Sequence, residues 1–180
     1  GLGPRMRSDL AKVLHKLDGR PLINHVCRTA TALAPESIYV VIGHQAEDVK
    51  TAVLNEIEGQ KVVFVTQERQ LGTGDAVNAA RSYLEDSDST LVILSGDVPM
   101  IRHGTLASLV QHHHRYLERG AACTIVTVRL GDPSGYGRIV RNDEGSFDRI
   151  VEQKDANEDE RQINEINAGI YCFDTQKLFS

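Results

Sequence analysis

Glycine and basic side chains are concentrated at the start of the chain. Gly1, Leu2 and Gly3 precede Arg5, and Lys12 follows in the same stretch. Backbone N–H groups of a glycine turn can approach phosphate oxygens closely, while Arg adds paired donors and Lys adds a point charge. This combination suits a triphosphate. A surface loop with solvated charges is the alternative for so short a motif.

A carboxylate follows an apolar run near the middle of the chain. Ser95, Gly96 and Asp97 come directly after the run 91–94. Ligands of open parallel sheets collect at the carboxyl ends of strands, and a single carboxylate suits Mg2+ held against a nucleotide phosphate. We therefore expect Asp97 to bind metal, with a turn Asp that bonds its own backbone as the alternative.

A third polar segment combines a side-chain amide with glycines. Gln67 follows an apolar run, and Gly72 and Thr73 precede a helical pattern. An amide both donates to and accepts from a base edge, and glycine lets the backbone approach that base. The segment is thus a candidate base-reading loop, although a plain strand-to-helix turn would use the same glycines.

Elements that alternate along the chain must position these residues. The first half predicts strands and helices in turn, and therefore a mainly parallel sheet covered on both faces. The second half predicts antiparallel strands, a hairpin turn at 142–146 and an exposed charged loop at 155–161. The predicted helices are Pro21–Leu33, Ala46–Ile57, Gly74–Leu84 and Thr105–Arg119; the predicted strands are Ser37–Ile42, Lys61–Thr66, Thr90–Leu94, Arg138–Arg141, Phe147–Glu152 and Asn167–Phe173, with a long apolar run at Ala121–Leu130.

Composition restricts the class of protein. The chain has 180 residues, a formal charge of -5 and a pI near 5.8. This argues for one globular domain and against general binding to nucleic acid or a membrane surface, which relies on excess Lys and Arg. Three separated cysteines imply neither a disulfide framework nor a zinc cluster. No long apolar span or export leader is visible, so we expect a cytoplasmic protein.

Seven ordered motifs together resemble one family. The chain is similar to N-acetylglucosamine-1-phosphate uridyltransferases, and in particular to the amino-terminal domain of the bifunctional bacterial enzyme. The resemblance implies a Rossmann-like, three-layer α/β/α nucleotide-diphospho-sugar transferase fold with a mixed, mainly parallel sheet. The motifs are Gly1–Met6, Lys12–His15, Gln67 with Leu71–Gly74, Gly96–Pro99, Gly135–Ile139, Ile150–Glu152 with Lys154–Asp155, and Glu165–Asn167 with Gly169.

The resemblance assigns roles to matching positions. Arg5 and Lys12 would bind the UTP phosphates, with the backbone of residues 1–3 around them, and Asp97 would hold Mg2+. Gln67 with Gly72 would read uracil, with Thr73 nearby, and Ser95 and Gly96 would line the nucleotide site. Gly137, Glu152 and Asn167 would contact the amino sugar. The catalytic set is Arg5, Lys12 and Asp97.

Two positions depart from the family pattern. Pro4 stands where the family loop usually has Thr, which removes one N–H and one hydroxyl from the phosphate loop. Ala11 replaces a common Pro. The change at Pro4 bears on the strength of triphosphate binding.

The implied reaction joins UTP to N-acetylglucosamine 1-phosphate, giving UDP-N-acetylglucosamine and pyrophosphate for peptidoglycan and lipopolysaccharide precursors. We expect residues 1–180 to form a nucleotidyltransferase domain truncated at both ends, lacking a first strand and a second metal-binding Asn. The resemblance implies a downstream acetyltransferase β-helix and a homotrimer at full length. The alternatives are a nucleotidyltransferase for another sugar or base, and a non-catalytic module that senses sugar nucleotides.

Several reactive residue types are interpreted as structural. Consecutive His112, His113 and His114 point in different directions on a helix, so a solvated helix face is favoured over a metal site. His15 and His25 are expected to be satisfied structural residues. Cys123 and Cys172 lie in apolar strands and are expected to act as small buried hydrophobes.

Overall fold

The computed structural model describes residues 8–68 and 72–180. A short 3-10 turn, Lys12–Leu14, is followed by two-residue strands β1 (Lys16–Leu17) and β2 (Arg20–Pro21). The longer strands are β3 (Ile38–Ile42), β4 (Val62–Thr66), β5 (Thr90–Ile93), β6 (Cys123–Arg129), β7 (Arg138–Arg141), β8 (Phe147–Val151) and β9 (Glu165–Asp174). The helices are α1 (Leu22–Thr31), α2 (Ala46–Glu56), α3 (Thr73–Ala79), α4 (Arg81–Leu84), α5 (His103–Leu117), α6 (Glu158–Gln162) and α7 (Thr175–Phe179).

The first half of the fold is built on a parallel strand pair. Strands β3 and β4 pair in parallel from Ile38 opposite Val62 to Ile42 opposite Thr66. Their β-branched side chains favour a pleated, buried surface. Helices α1 and α2 bury Val26, Cys27, Val49 and Val53, and most of these side chains join one apolar cluster with β3. This cluster supports the turn that carries Lys12.

The second half is an antiparallel sheet around β9. Strand β9 pairs with β5 and with β6, and it meets β7 where Arg138 lies opposite Ile166. Helix α5 covers this sheet, because Leu106 and Leu109 point into a cluster that contains Ile170 and Cys172. The stretch that follows β5, which carries Asp97, is therefore held against β9.

The fold class agrees with the expectation of a mixed α/β protein, and two predicted elements differ. The charged segment 155–161 is not simply a loop, because it contains most of α6 (Glu158–Gln162). A capping box between Asn157 and Glu160 starts this helix, and it satisfies backbone groups without any apolar face. The helix predicted over 74–84 is divided into α3 and α4 at Ala80, which is buried.

The balance of strand directions also differs from the expectation. Parallel pairing among the described strands is confined to β3 and β4, whereas β5 joins the antiparallel sheet through β9. Alternating strands and helices indicate crossover connections, but they do not show which strand will lie beside β5. No helix in the described residues is both long and apolar enough to cross a membrane.

Candidate functional site

An ion pair lies at the centre of the candidate phosphate site. The Nζ of Lys12 lies 2.5 Å from Oδ2 of Asp97, although 85 positions separate them in the sequence. Their side chains are 43% and 29% exposed, so both groups are accessible to a ligand. The neighbouring Ala11 is buried, and its N–H donates to the Gln45 side chain. The turn is thereby fixed to the loop before α2.

Residues 95–98 form the Asp97 loop, and Gly96 lets this loop pack closely against the first half of the fold. A Cβ atom at Gly96 would lie 2.8 Å from Cδ1 of Ile23 and 3.3 Å from Cγ1 of Val13. The loop turns through a hydrogen bond from the Val98 N–H to the Ser95 carbonyl. The Ser95 hydroxyl also donates to the Gly169 carbonyl at 3.4 Å. The Asp97 loop therefore contacts both α1 and β9.

Gln67 is anchored at the end of β4. Its backbone N–H donates to the Ile42 carbonyl at 2.8 Å, which continues the parallel pairing of β3 and β4. Its side-chain Nε2 lies 2.6 Å from Oδ2 of Asp75 and 3.5 Å from the carbonyl oxygen of Gly72. Gly72 has a φ of 115°, a conformation that L side chains rarely adopt. Asp75 was not among the residues selected from the sequence.

Thr73 is the first residue of α3 and is exposed. It lines a cavity of about 360 Å³ with Val77 from the same helix, Ile93 from β5 and Tyr171 from β9. The cavity thus begins beside the Gln67 loop, whereas Lys12 and Asp97 are not part of its lining.

The three residues assigned to the sugar are brought together by β7, β8 and β9. The Asn167 N–H donates to the Gly137 carbonyl at 2.9 Å. A Cβ atom at Gly137 would lie 3.2 Å from Oε1 of Glu152 and 3.2 Å from Cγ2 of Ile150. Glu152 follows the last residue of β8, and its carbonyl oxygen accepts from the Asp155 N–H. The trio forms one polar group at adjacent strand ends.

A local irregularity in β9 orients the Asn167 amide. The register opposite β6 shifts so that Ile125 faces Tyr171 and Thr127 faces Asn167. Gly169 lies between them with a φ of 71°. The Asn167 Nδ2 donates to the Tyr171 hydroxyl at 2.6 Å, and its Oδ1 accepts from the Gly169 N–H at 3.0 Å. Each end of the amide keeps one further hydrogen-bonding position for a ligand.

Two arginines contact residues that lie close in sequence to the trio. Arg138 is 1% exposed, and its guanidinium donates to the Tyr136 carbonyl and to Oε1 of Gln153. Arg141 forms a bidentate pair with Glu165, at 2.9 Å and 2.8 Å. This pair lowers the pKa of Glu165 to about 2, mainly through the Arg141 hydrogen bond. Glu165 is therefore ionised at neutral pH. Sequence reasoning did not assign a role to either arginine, since buried and exposed arginines look alike in a sequence.

Four other predictions concern histidine and cysteine. His113 is not solvated, because it is fully buried and its Nδ1 lies 3.1 Å from the Thr124 hydroxyl. His25 contacts the Leu17 carbonyl as expected, whereas the Nε2 of His15 is buried without a partner among the described residues. Cys172 is buried as expected, and burial raises its pKa to about 12, whereas Cys123 is only partly buried.

Some predicted site residues lie outside the described structure. Gly1, Leu2, Gly3 and Arg5 belong to this set, as does Pro4. In residues 8–68 and 72–180 there is no group of three or more His, Cys, Asp or Glu side chains with metal-binding geometry. The described phosphate-side groups are thus Lys12 and Asp97.

Comparison with known proteins identifies relatives for almost the whole chain. The family model described as nucleotidyl transferase matches residues 4–179. A protein named Bifunctional protein GlmU from Streptococcus equi subsp. zooepidemicus is 48% identical over 179 residues, which is 99% of this chain and 37% of the relative. The protein of the same name from Brevibacillus brevis is 46% identical, again over 99% of this chain and 37% of the relative. The chain therefore spans little more than a third of the length of these relatives.

A solved structure supports the fold. HddC from Yersinia pseudotuberculosis superimposes with a TM-score of 0.67 at 17% identity, covering 96% of this chain and 71% of that protein. At this identity the similarity speaks to the fold alone. With the family match across residues 4–179, it confirms the predicted fold class, and the relatives named Bifunctional protein GlmU confirm the predicted resemblance. The chain belongs to the nucleotidyl transferase family.

Proposed function

We propose that this chain carries the uridylyl-transfer activity that joins UTP to N-acetylglucosamine 1-phosphate. The observation that supports this most is the ion pair between Lys12 and Asp97. The loop that carries Asp97 also contacts β9, and β9 carries Asn167. The hydrogen bond between Ser95 and Gly169 thus connects the residues proposed for phosphate with the strand that carries a residue proposed for the sugar. Relatives named Bifunctional protein GlmU match the chain along its full length, in agreement with this activity.

The reaction is an in-line displacement at the α-phosphorus of UTP. A phosphate oxygen of N-acetylglucosamine 1-phosphate forms the new P–O bond, and the bond to the β-phosphate oxygen breaks, which releases pyrophosphate. Because the nucleophile is already an anion, no side chain needs to remove a proton. The work of the protein is then to position the reactants and to neutralise charge.

Lys12 supplies positive charge in the part of the site that the structure describes. Its ammonium would contact the triphosphate and the departing pyrophosphate, and we assign Arg5 to the same task. In the structure Lys12 is paired with Asp97. When a triphosphate binds, Lys12 can exchange this carboxylate for phosphate oxygens, and Asp97 becomes free to hold a cation.

The donor set around Asp97 fits Mg2+. A single carboxylate that is partly exposed suits a cation that keeps most positions for phosphate and water. We propose that Asp97 holds this Mg2+ together with the nucleotide. When bound, the ion neutralises negative charge that builds up on the transferring phosphoryl group.

Recognition of the base and the sugar is assigned to two separate groups. Gln67, Gly72 and Thr73 stand at the end of β4 and the start of α3, where they would read uracil. The trio of Gly137, Glu152 and Asn167 would bind the amino sugar, because a carboxylate accepts from sugar hydroxyls and an amide both accepts and donates.

The decisive experiment measures magnesium-dependent pyrophosphate release. The gene product that carries this sequence, at its natural length, is incubated with UTP and a panel of sugar 1-phosphates. Release restricted to N-acetylglucosamine 1-phosphate establishes the activity and the sugar together. Faster release with another sugar would contradict the sugar assignment. Absence of release with every pair, despite tight binding of UDP-N-acetylglucosamine, would indicate a sensing module instead.

A further inference from the structure

Asp75 fixes which end of the Gln67 side chain faces a ligand. The Gln67 Nε2 lies 2.6 Å from Oδ2 of Asp75 in a partly buried contact. A carboxylate accepts hydrogen bonds and does not donate them, so only the NH2 end of the amide can face it. The contact therefore determines the orientation of an amide whose two ends have nearly the same shape.

The second hydrogen of the same NH2 group is directed at the backbone. The Gln67 Nε2 lies 3.5 Å from the Gly72 carbonyl, which also accepts from the Ala76 N–H in the first turn of α3. Both hydrogens of the amide thus point towards α3. Among the residues that the structure describes, no group donates to the Gln67 Oε1, so this oxygen is the end left for a ligand.

The two residues are held by separate elements. Gln67 is anchored to β3 by its own backbone N–H at 2.8 Å from the Ile42 carbonyl. Asp75 lies in the first turn of α3, where a negative charge is favourable next to the free backbone N–H groups of the helix. The backbone of each residue is thus held in place, and the 2.6 Å contact between the two side chains sets the amide orientation before a nucleotide arrives.

We propose that Asp75 is a positioning residue that makes Gln67 a hydrogen-bond acceptor and thereby selects a pyrimidine whose N3 carries a hydrogen. Uracil presents an N–H at N3, whereas cytosine presents a lone pair there and would repel the Gln67 oxygen. The inference rests on the proposed function, since it assumes that Gln67 faces the base. It adds a reason why UTP would be taken and CTP rejected.

The test compares nucleotide affinities by calorimetry on the gene product at its natural length. Three probes are used with the unaltered protein: UTP, CTP and 3-methyluridine triphosphate, in which a methyl group replaces the N3 hydrogen. We expect both CTP and the methylated nucleotide to bind at least ~10-fold more weakly than UTP, as befits one lost hydrogen bond and one unpaired acceptor.

The same affinities are then measured for Asp75→Leu, which removes the acceptor and lets the Gln67 amide rotate. The preference for UTP over CTP should fall by ~10-fold. Asp48→Leu is the matched control, because Asp48 holds the equivalent position in the first turn of α2 and is exposed. Thermal unfolding of both variants separates loss of selectivity from loss of folding.

Each outcome bears on a different claim. Unchanged UTP preference in Asp75→Leu would overturn the role of Asp75 and leave the proposed function standing. Equal affinity of the unaltered protein for UTP and 3-methyluridine triphosphate would overturn the acceptor role of Gln67. Failure of the unaltered protein to bind any of the three nucleotides would overturn the proposed function, and this inference with it.

Discussion

The Lys12–Asp97 contact shows how much of the proposed chemistry depends on single side chains. Each charge neutralises the other, and both side chains remain partly exposed. A surface ion pair of this kind adds little to stability, typically about 0–1 kcal/mol. The pair is therefore better explained by ligand binding than by folding, and variants at Asp97 should separate the two.

Replacing Asp97 by Asn should remove most of the activity and leave the fold intact. The amide has lost the charge that would hold Mg2+, so we expect a fall in turnover of ~100-fold or more. Pyrophosphate release and thermal unfolding measure the two effects. The exposed Asp88→Asn serves as the control. Near-full turnover in Asp97→Asn would contradict the metal-binding role.

Gly137 offers a test of the sugar group. An added methyl would lie 3.2 Å from Oε1 of Glu152, closer than side chains normally approach, and would displace the carboxylate. Gly137→Ala should raise the KM for the sugar 1-phosphate about 10-fold, the cost of a disturbed hydrogen bond to a charged group, and leave the KM for UTP unchanged. Gly131→Ala is the control, because its Cβ would meet nothing within 4 Å. Equal changes in both KM values would argue against a sugar-specific role.

At the scale of elements, β9 both pairs with its neighbours in the sheet and contributes residues to the candidate site. It is the central strand of the antiparallel sheet, and the carbonyl of its Gly169 also accepts from Ser95 of the Asp97 loop. The register shift opposite β6 and the positive φ of Gly169 make both roles possible, because they turn Asn167 and Tyr171 towards each other. Disrupted pairing is found where a strand must aim a side chain at a ligand.

Helix α5 contributes a pH dependence of stability through His113. Burial lowers the pKa of His113 below its usual 6.5, and the neighbouring His114 acts in the same direction. Asp174 opposes this shift and Lys177 adds to it. The folded state thus disfavours the proton, whereas the unfolded chain binds it below pH 6.5. Stability is full above that pH and falls as the pH drops below it.

We expect thermal unfolding to show this loss between pH 7.5 and pH 5.5, a range set by the ordinary pKa of histidine, about 6.5. His113→Gln should lower the melting temperature at the higher pH, because a buried contact with Thr124 is altered. It should also flatten the slope between the two pH values. His112→Gln, on the exposed face of the same helix, should leave the slope unchanged. A slope that survives in His113→Gln would assign the effect to another group.

At the scale of the whole molecule, the Asp97 loop contacts elements that belong to two separate apolar clusters. Cys27 belongs to the cluster of α1, α2 and β3, and Cys172 to the cluster of α5 and β9. The Asp97 loop touches both halves, through Gly96 against Ile23 and Ser95 against Gly169. The site therefore depends on how the halves are joined.

The buried thiols of Cys27 and Cys172 can show whether the two halves unfold together. Burial raises the pKa of Cys27 to about 11 and that of Cys172 to about 12, so neither forms a reactive thiolate at neutral pH. We expect both to resist iodoacetamide in the native protein and to become labelled together as denaturant is raised, as read by peptide mass spectrometry. Labelling of Cys27 well before Cys172 would show that the halves unfold separately.

Local signals in the sequence were sufficient for most elements. Apolar periodicity predicted the positions of the main strands and helices. Turn residues predicted the hairpin turn at 142–146, where the Asn142 N–H donates to the Ser146 carbonyl. The short helix α6 was missed because its capping box is a polar interaction and has no apolar period. The burial of His113 was missed because its neighbours His112 and His114 are exposed.

The sequence by itself determined which chemical groups are available and proposed their roles: Lys12 and Asp97 for phosphate and metal, Gln67 for the base, and, through the family resemblance, Gly137, Glu152 and Asn167 for the sugar. These proposals follow from residue types, motif order and the family resemblance that the motifs carry, all of which are read from the sequence. The tertiary structure alone decided the partners: Asp97 for Lys12, Asp75 for Gln67, and Tyr171 for Asn167. The physical reason is that a hydrogen-bond partner depends on strand register and helix placement, and both are fixed by packing over the whole chain.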